Sequence, residues 1–375
     1  MSQGGVGFLS GSQGLPESVK SDAPSDQRRV SDAVQPVRSF SMWSVAKGSA
    51  SRHSLSVATT MLCVLGFLCS GRAIVAENPR PDVKVSVDAL LLWRNSLSDR
   101  PLYFESTNPE SVPLDTAGIG TSMAAGPRFR IDWNLFDDGG LEFNYFNVDS
   151  IGGSSSVQSP GGGLEQANIF GFRFPDVTSA VAAASSGIKS FELNHRHRLP
   201  VREGDFLYGF RWVQWNDGLR IQDTTISGLT TGTDLFTANT TDSLYGAQVG
   251  LDMVVLGSRS NLFWVEGIGK TGIYYNRAVQ HSFADSVSTD QVTRSTAAAA
   301  DLTSFFGELG FTGCVRISDH WVARTGLTMF WLGNVTAAGD QLSVNNLYSD
   351  KTVSGIDNGA SVFLYGINLG LEASW

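Results

Sequence analysis

Apolar and polar residues alternate in steps of two along most of the chain from Val83 onward, and the last stretch shows the pattern at full length. In FLYGINLGLEASW, Phe363, Tyr365, Ile367, Leu369, Leu371, Ala373 and Trp375 share one face of an extended chain. Leu364, Gly366, Asn368, Gly370, Glu372 and Ser374 share the other. An apolar face this long exceeds a common sheet strand of about five or six residues. It suits a tilted strand of about 9 to 11 residues crossing a bilayer. The same alternation predicts strands at 83–94, 122–136, 141–148, 188–199, 206–221, 243–255, 262–281, 302–317, 321–335 and 361–375.

The connections between these strands switch between long and short without exception. DDGG, PVREGD, GSRSN and SDH are short, whereas DTTISGLTTGTDLFTANTTD and TAAGDQLSVNNLYSDKTVSGIDNGA are long. The pattern predicts an all-β fold: a transmembrane antiparallel up-and-down β-barrel of about ten strands, with short periplasmic turns and long extracellular loops. Closure removes the edges that such strands would otherwise expose. Eight to twelve strands fit, because 151–186 contains EQANIFGFRFPDV, which either pairs as a further strand or folds into the mouth.

Aromatic positions set the depth. Trp321 and Trp331 share a face ten residues apart, as do Tyr365 and Trp375. At about 3.4 Å per residue and a tilt near 45°, ten residues rise roughly 24 Å, close to the apolar band of such barrels. Trp133, Trp321 and Trp375 fall near short turns, and Trp93, Trp212, Tyr275, Trp331 and Tyr365 near long loops, so two girdles are expected. The final aromatic residue resembles the carboxy-terminal signal read by the barrel-insertion machinery, which makes that machinery an expected partner alongside outer-membrane lipid.

Composition narrows the picture. Of 375 residues, 42% are hydrophobic and 17% charged, against about 25% charged in an ordinary soluble chain. Beyond the amino-terminal region no run of 18 apolar residues occurs, which excludes a multispan helical protein. A net charge of -9 argues against a nucleic-acid partner, which calls for basic stripes.

Residues 1–41 are polar and Ser-rich without periodicity and read as disorder or a mis-assigned start. Residues 42–76 read as a signal peptide: Lys47, Arg52 and His53 precede the apolar run 55–68, and cleavage is expected after Ala76. Residues 77–375 are then the barrel. Cys63 and Cys69 lie in the signal and leave Cys314 alone in the mature chain, so no intramolecular disulfide is expected.

Candidate chemistry is sparse. EGIGKTG at 266–272 lacks the first glycine and the following helix of a phosphate loop and reads as strand interior. His195 and His197 share a strand face without an evident third ligand, so no metal is expected. His281 is the loop-side histidine, with Asp285 nearby and no opposing acidic pair of the kind that barrel proteases use. No cofactor and no catalysis are expected.

The inward parity set is more informative. Arg128, Arg130, Arg211, Lys270, Arg316 and Arg324 face Asp132, Asp252, Glu266, Glu308 and Glu372 on the inner side. Opposite charges in a narrow interior either pair and fill it or line a narrow wet path. Barrels of eight strands are filled by side chains, and wide channels come at about 16, so ten strands sit near the closed end.

With VSVDALLLWRNS, GPRFRIDWNLFDDGGLEFNYFNV and LYGINLGLEASW, the chain over 83–375 resembles the β-barrel porin family of bacterial outer membranes, of the BBP type. That resemblance implies the bacterial outer membrane as location and passive transport of small solutes or ions as activity; it implies no catalytic residues. Porin-like diffusion is the leading expectation. A closed structural or surface-interaction barrel, with a salt-bridged lumen and partner-binding extracellular loops, is the alternative.

Overall fold

The computed structural model describes residues 81–200, 203–227, 230–287, 292–348 and 353–375. The expected disordered start and signal peptide lie outside them.

Ten strands close into an antiparallel ring. In chain order they are β1 (Val83–Arg94), β4 (Ala124–Phe136), β5 (Gly139–Gln158), β7 (Val177–Arg198), β8 (Gly204–Ser227), β9 (Thr230–Leu256), β10 (Phe263–Ser286), β11 (Val292–Arg316), β12 (Trp321–Val335) and β13 (Ala360–Ser374). Each pairs with its chain neighbours, and β1 pairs with β13 to close the ring. Three short strands, β2 (Pro101–Glu105), β3 (Leu114–Asp115) and β6 (Leu164–Gln166), lie above the ring with a 3-10 turn (Ala338–Asp340) and a one-turn helix, α1 (Gln341–Val344).

The outer surface carries an apolar belt with aromatic rims. Tyr145, Phe191, Trp212, Tyr245 and Tyr275 form a continuous row of cross-strand partners on β5, β7, β8, β9 and β10. Trp93 pairs with Tyr365 and stacks on it at 6.3 Å, and Trp331 pairs with Phe363. At the next outward position beyond this rim the residues turn polar: Asn95, Asn147, Lys189, Gln214, Ser243 and Arg277. Trp133, Trp321 and Trp375 sit at the opposite rim, beside the short turns, and all three are exposed. An exposed apolar belt of this extent is stable only against lipid.

Three of the expected long loops are largely strand. β5 continues ten residues past 148, β8 and β9 meet near Ser227 and Thr230, and β10 and β11 run to Ser286 and from Val292. The ladders persist past the belt because their inward positions still bury apolar groups, among them Ile221, Phe236, Ala238 and Ala284. From Trp212 to Ser227, β8 rises about 36 Å beyond the rim at 3.4 Å per residue and a 45° tilt. β1 ends one residue past Trp93. The wall is therefore high from β5 to β11 and low from β12 through β13 and β1 to β4.

Segment 151–186 supplies the ends of β5 and β7, and its middle folds into the mouth. There β6 pairs with β2, and Phe170 and Gly171, both at positive φ, form the tight turn between Ile169 and Phe172. Phe170, Phe172 and Phe174 gather around Phe236 of the high wall, at 6.5, 5.3 and 6.3 Å.

Candidate functional site

Glycine and polar residues alternate with the belt on every strand, so their side chains turn inward, and the inside of the ring is built in layers. At the short-turn end, Glu372 meets Arg324, Ser86 (3.2 Å) and Lys84 (3.8 Å), and Glu266 meets Arg259 (2.9 Å) and Arg324 (3.7 Å). Arg316 lies at this rim, its guanidinium 5.9 Å over the Trp264 ring and donating to Arg259 O.

A second charged layer fills the middle. Arg130 bonds Asp132 (3.0 Å), Glu142 (3.0 Å) and Asp252; Arg196 bonds Glu142 (2.7 Å), Asp132 and Asp252 (both 3.2 Å), and Asp205. Lys270 holds Glu142 at 2.6 Å and Glu192 at 2.7 Å. Glu308 is shared by Arg128 (2.7 Å) and Arg211 (2.8 Å), and Arg211 also reaches Glu192 (3.3 Å). Charges taken out of water require such multiple partners, since an unpaired one costs several kcal/mol.

The Arg211 guanidinium lies 4.1 Å over the Phe306 ring, where the third layer starts. Phe146 stacks on Phe330 at 5.1 Å, Phe330 packs on Phe306 at 5.8 Å, and Tyr274 meets Phe306 edge-on at 6.3 Å. Leu90, Leu92, Val213, Trp215, Leu244 and Leu364 complete a fully buried apolar plate. Nothing in the residue count of the charged set signals this plate; its signal is the apolar inward position next to the upper-rim aromatic on nearly every strand.

Above the plate, the loop between β12 and β13 is latched to the wall. Asp217 accepts from Arg94 (2.5 Å), Ser186 (2.8 Å) and the backbone N–H of Ala338 (2.9 Å). Asp242 accepts from Asn276 (2.7 Å) and from the Thr336 hydroxyl (2.5 Å). Arg100 pairs with Asp340 at 3.1 Å.

Higher still, outside the membrane-spanning part, Asp223 of β8 lies directly across from Asp234 of β9. Tyr103 of β2 donates to Asp223 at 2.6 Å and Gln166 of β6 at 3.1 Å, while Val287 N–H donates to Asp234 at 2.8 Å. Burial pushes the Asp223 carboxyl up to about 7; the Tyr103 bond opposes that rise, and the neighbouring Asp234 carboxylate adds to it. This acidic pair and its cap partners escape the apolar alternation that marks the belt, because beyond the bilayer the outer face of a strand is polar as well and no longer tells inside from outside.

His195 and His197 face outward at the short-turn rim; His195 packs on Tyr208 at 4.9 Å and Phe136 at 6.4 Å. His281 is exposed on the outer face of β10. Among the described residues, no three His, Cys, Asp or Glu side chains gather to hold a metal ion.

No family model and no curated protein matches the chain. Solved structures are similar. The outer membrane protease OmpT from Escherichia coli aligns at 10% identity and a TM-score of 0.45, over 80% of this chain and 99% of that one. The translocator domain of autotransporter NalP from Neisseria meningitidis aligns at 8% identity and 0.37, over 88% and 100%. A FadL homologue of Pseudomonas aeruginosa aligns at 10% identity and 0.24, over 83% and 94%. By its own closed ring, lipid-facing belt and paired aromatic rims, the chain is a β-barrel of the bacterial outer membrane.

Proposed function

We propose that this protein is a closed outer-membrane scaffold: a barrel with a filled lumen that carries a folded cap at the cell surface and acts by binding rather than by catalysis. The observation behind this reading is the Phe146 to Phe330 stack, contact between nearly opposite strands, above a charged layer whose members already hold one another. Its function then resides in the cap and the high wall, whose surfaces are the binding elements. Outer-membrane lipid and the barrel-insertion machinery, acting on β13, are its general partners.

Porin-like diffusion of small solutes or ions, the reading that the charged inner face prompts, requires the aromatic plate and the Lys270 and Arg211 bridges to part together. Ten-stranded barrels lie near the side-chain-filled limit, which supports the closed reading. Single-channel recording on the refolded barrel in a planar bilayer tests it. Silence from a demonstrably folded barrel is expected; discrete, reproducible steps would return the protein to passive diffusion, with Glu266, Lys270 and Glu308 as its filter.

A further inference from the structure

On the outer wall, β5, β7, β8 and β9 form a polar cup of about 420 Å³. It lies four residues past Trp212 along β8, about 10 Å above the upper rim at a 45° tilt. Its shape comes from the backbone. A bulge between Val148 and Ile151, with Ser150 at a φ of 67°, holds Asp149 over Gly187 of β7. A side chain at Gly187 would strike the Asp149 carboxylate, since a Cβ there would stand 2.8 Å from Oδ1. Gly187 and Gly218 thus make the floor, and Ser185, Asn216, Asn239 and Thr241 make the wall.

The available groups are amide, hydroxyl and carboxylate, with no apolar side chain in the lining. Thr241 donates to Asn216 at 3.0 Å, and Asn147, just below, donates to Asp149 at 2.9 Å while its own Oδ1 has no partner among the described residues. Asp217, beneath the floor, is already engaged by Arg94 and Ser186, so Asp149 is the one carboxylate the cup can offer a ligand. That is too little for a bare divalent cation. Two cations flank the cup on the outward face: Lys189 toward the membrane, across from Asn147, and Arg220 away from it. Among the described residues neither meets a carboxylate; Arg220 bonds Gln222 at 3.4 Å.

Hydroxyl-binding amides and a carboxylate over a bare glycine floor, with cations at the edge, suit one chemistry. We propose that this cup binds a phosphorylated saccharide, with sugar hydroxyls on Asp149, Asn239 and Ser185 and the phosphate on Lys189 or Arg220. Its height above the rim places it level with the sugar headgroups of a glycolipid in the outer leaflet; a soluble sugar phosphate has the same chemistry.

The test uses the full barrel in zwitterionic micelles, titrated with bis-phosphorylated lipid A, dephosphorylated lipid A, phosphatidylglycerol and glucosamine 6-phosphate, with bound species read by native mass spectrometry. Phosphorylated lipid A binding above phosphatidylglycerol and above the dephosphorylated form is expected. Lys189→Gln with Arg220→Gln, and separately Asn239→Leu, which fills the cup, should each weaken it about tenfold or more, with gel mobility confirming a closed barrel. Glucosamine 6-phosphate binding as tightly would support the site with a soluble ligand, and a strong preference for lipid A would support a membrane one. Phosphatidylglycerol binding equally well, no binding of either phosphorylated saccharide, or variants that bind lipid A unchanged would overturn the proposal.

Discussion

Phe146 of β5 and Phe330 of β12 stack with ring centroids 5.1 Å apart, although four ladder steps around the ring separate their strands. Side chains that meet across a lumen tie opposite walls together as a soluble core does. Phe330→Ala should therefore cost about 3 to 5 kcal/mol by lost contacts and the cavity left behind. Urea titration of the barrel in micelles, followed by gel mobility, reads this; a loss under 1 kcal/mol would mean that the plate is loosely packed.

Lys270 bridges Glu142 and Glu192, all three buried. Replacing it by Met leaves two carboxylates without their shared cation, and a loss of roughly 3 to 5 kcal/mol is expected. The loss should be insensitive to salt, because screening reaches buried pairs poorly. Lys270→Met combined with Glu142→Gln should recover part of it, and a double-mutant cycle measures the share.

Asp223 gives the cap a pH dependence of defined sign. Its carboxyl is raised to about 7 in the folded protein, against about 3.9 when exposed. The folded cap therefore holds an extra proton between those values. Stability is full below the lower one, falls as pH rises, and levels off above about 7. Opening of the β2 and β6 segments, followed by hydrogen exchange corrected for intrinsic rates, should increase about tenfold per pH unit across that window. Asp223→Asn should remove the slope; an unchanged slope would show that this carboxyl does not carry it.

Among the described residues, the upper part of β11 has a ladder on one side. Even-numbered residues turn toward β10, as Arg316 N–H donating to Leu262 O at 2.9 Å shows, and β12 pairs with β11 from Phe305 downward. On the open side Ala297 O accepts from the Ser354 hydroxyl and Thr303 O from the Asn334 amide. Ala299→Pro removes an N–H that faces this open side and should cost under about 1 kcal/mol, whereas Ala300→Pro breaks a rung to β10 and should cost about 3 kcal/mol. Thermal unfolding of the two variants side by side decides.

Bilayer-facing alternation made the ring legible from residues such as Val85, Val87, Ala89 and Leu91, because lipid demands apolar groups at every second position. Above the rim that demand ends. Thr237, Asn239 and Thr241 face water there while Phe236 and Ala238 face the cap, so strand and loop share a polar composition, and β8 to β11 extend further than their apolar runs. The inward charges were visible by parity, but which carboxylate Lys270 or Arg211 meets depends on register across distant strands. Segment 164–174 folds into the mouth through a turn at Phe170, a bulky residue at a φ of 54° that turn chemistry does not favour.

The β1 to β13 ladder joins residues nearly three hundred positions apart, Val85 opposite Ala373 and Leu91 opposite Ile367, whereas the other nine ladders of the ring connect ring strands that follow one another along the chain. Local hairpins can form as soon as their two arms exist, but this seam needs every other strand in place before its rungs align. Its glycine at 366 lets the two backbones come close: a Cβ there would stand 1.8 Å from Leu91 O. Assembly thus has a built-in order, in which the wall zips strand by strand and is sealed last along a single line, and a fault at that line leaves a nearly complete but open sheet.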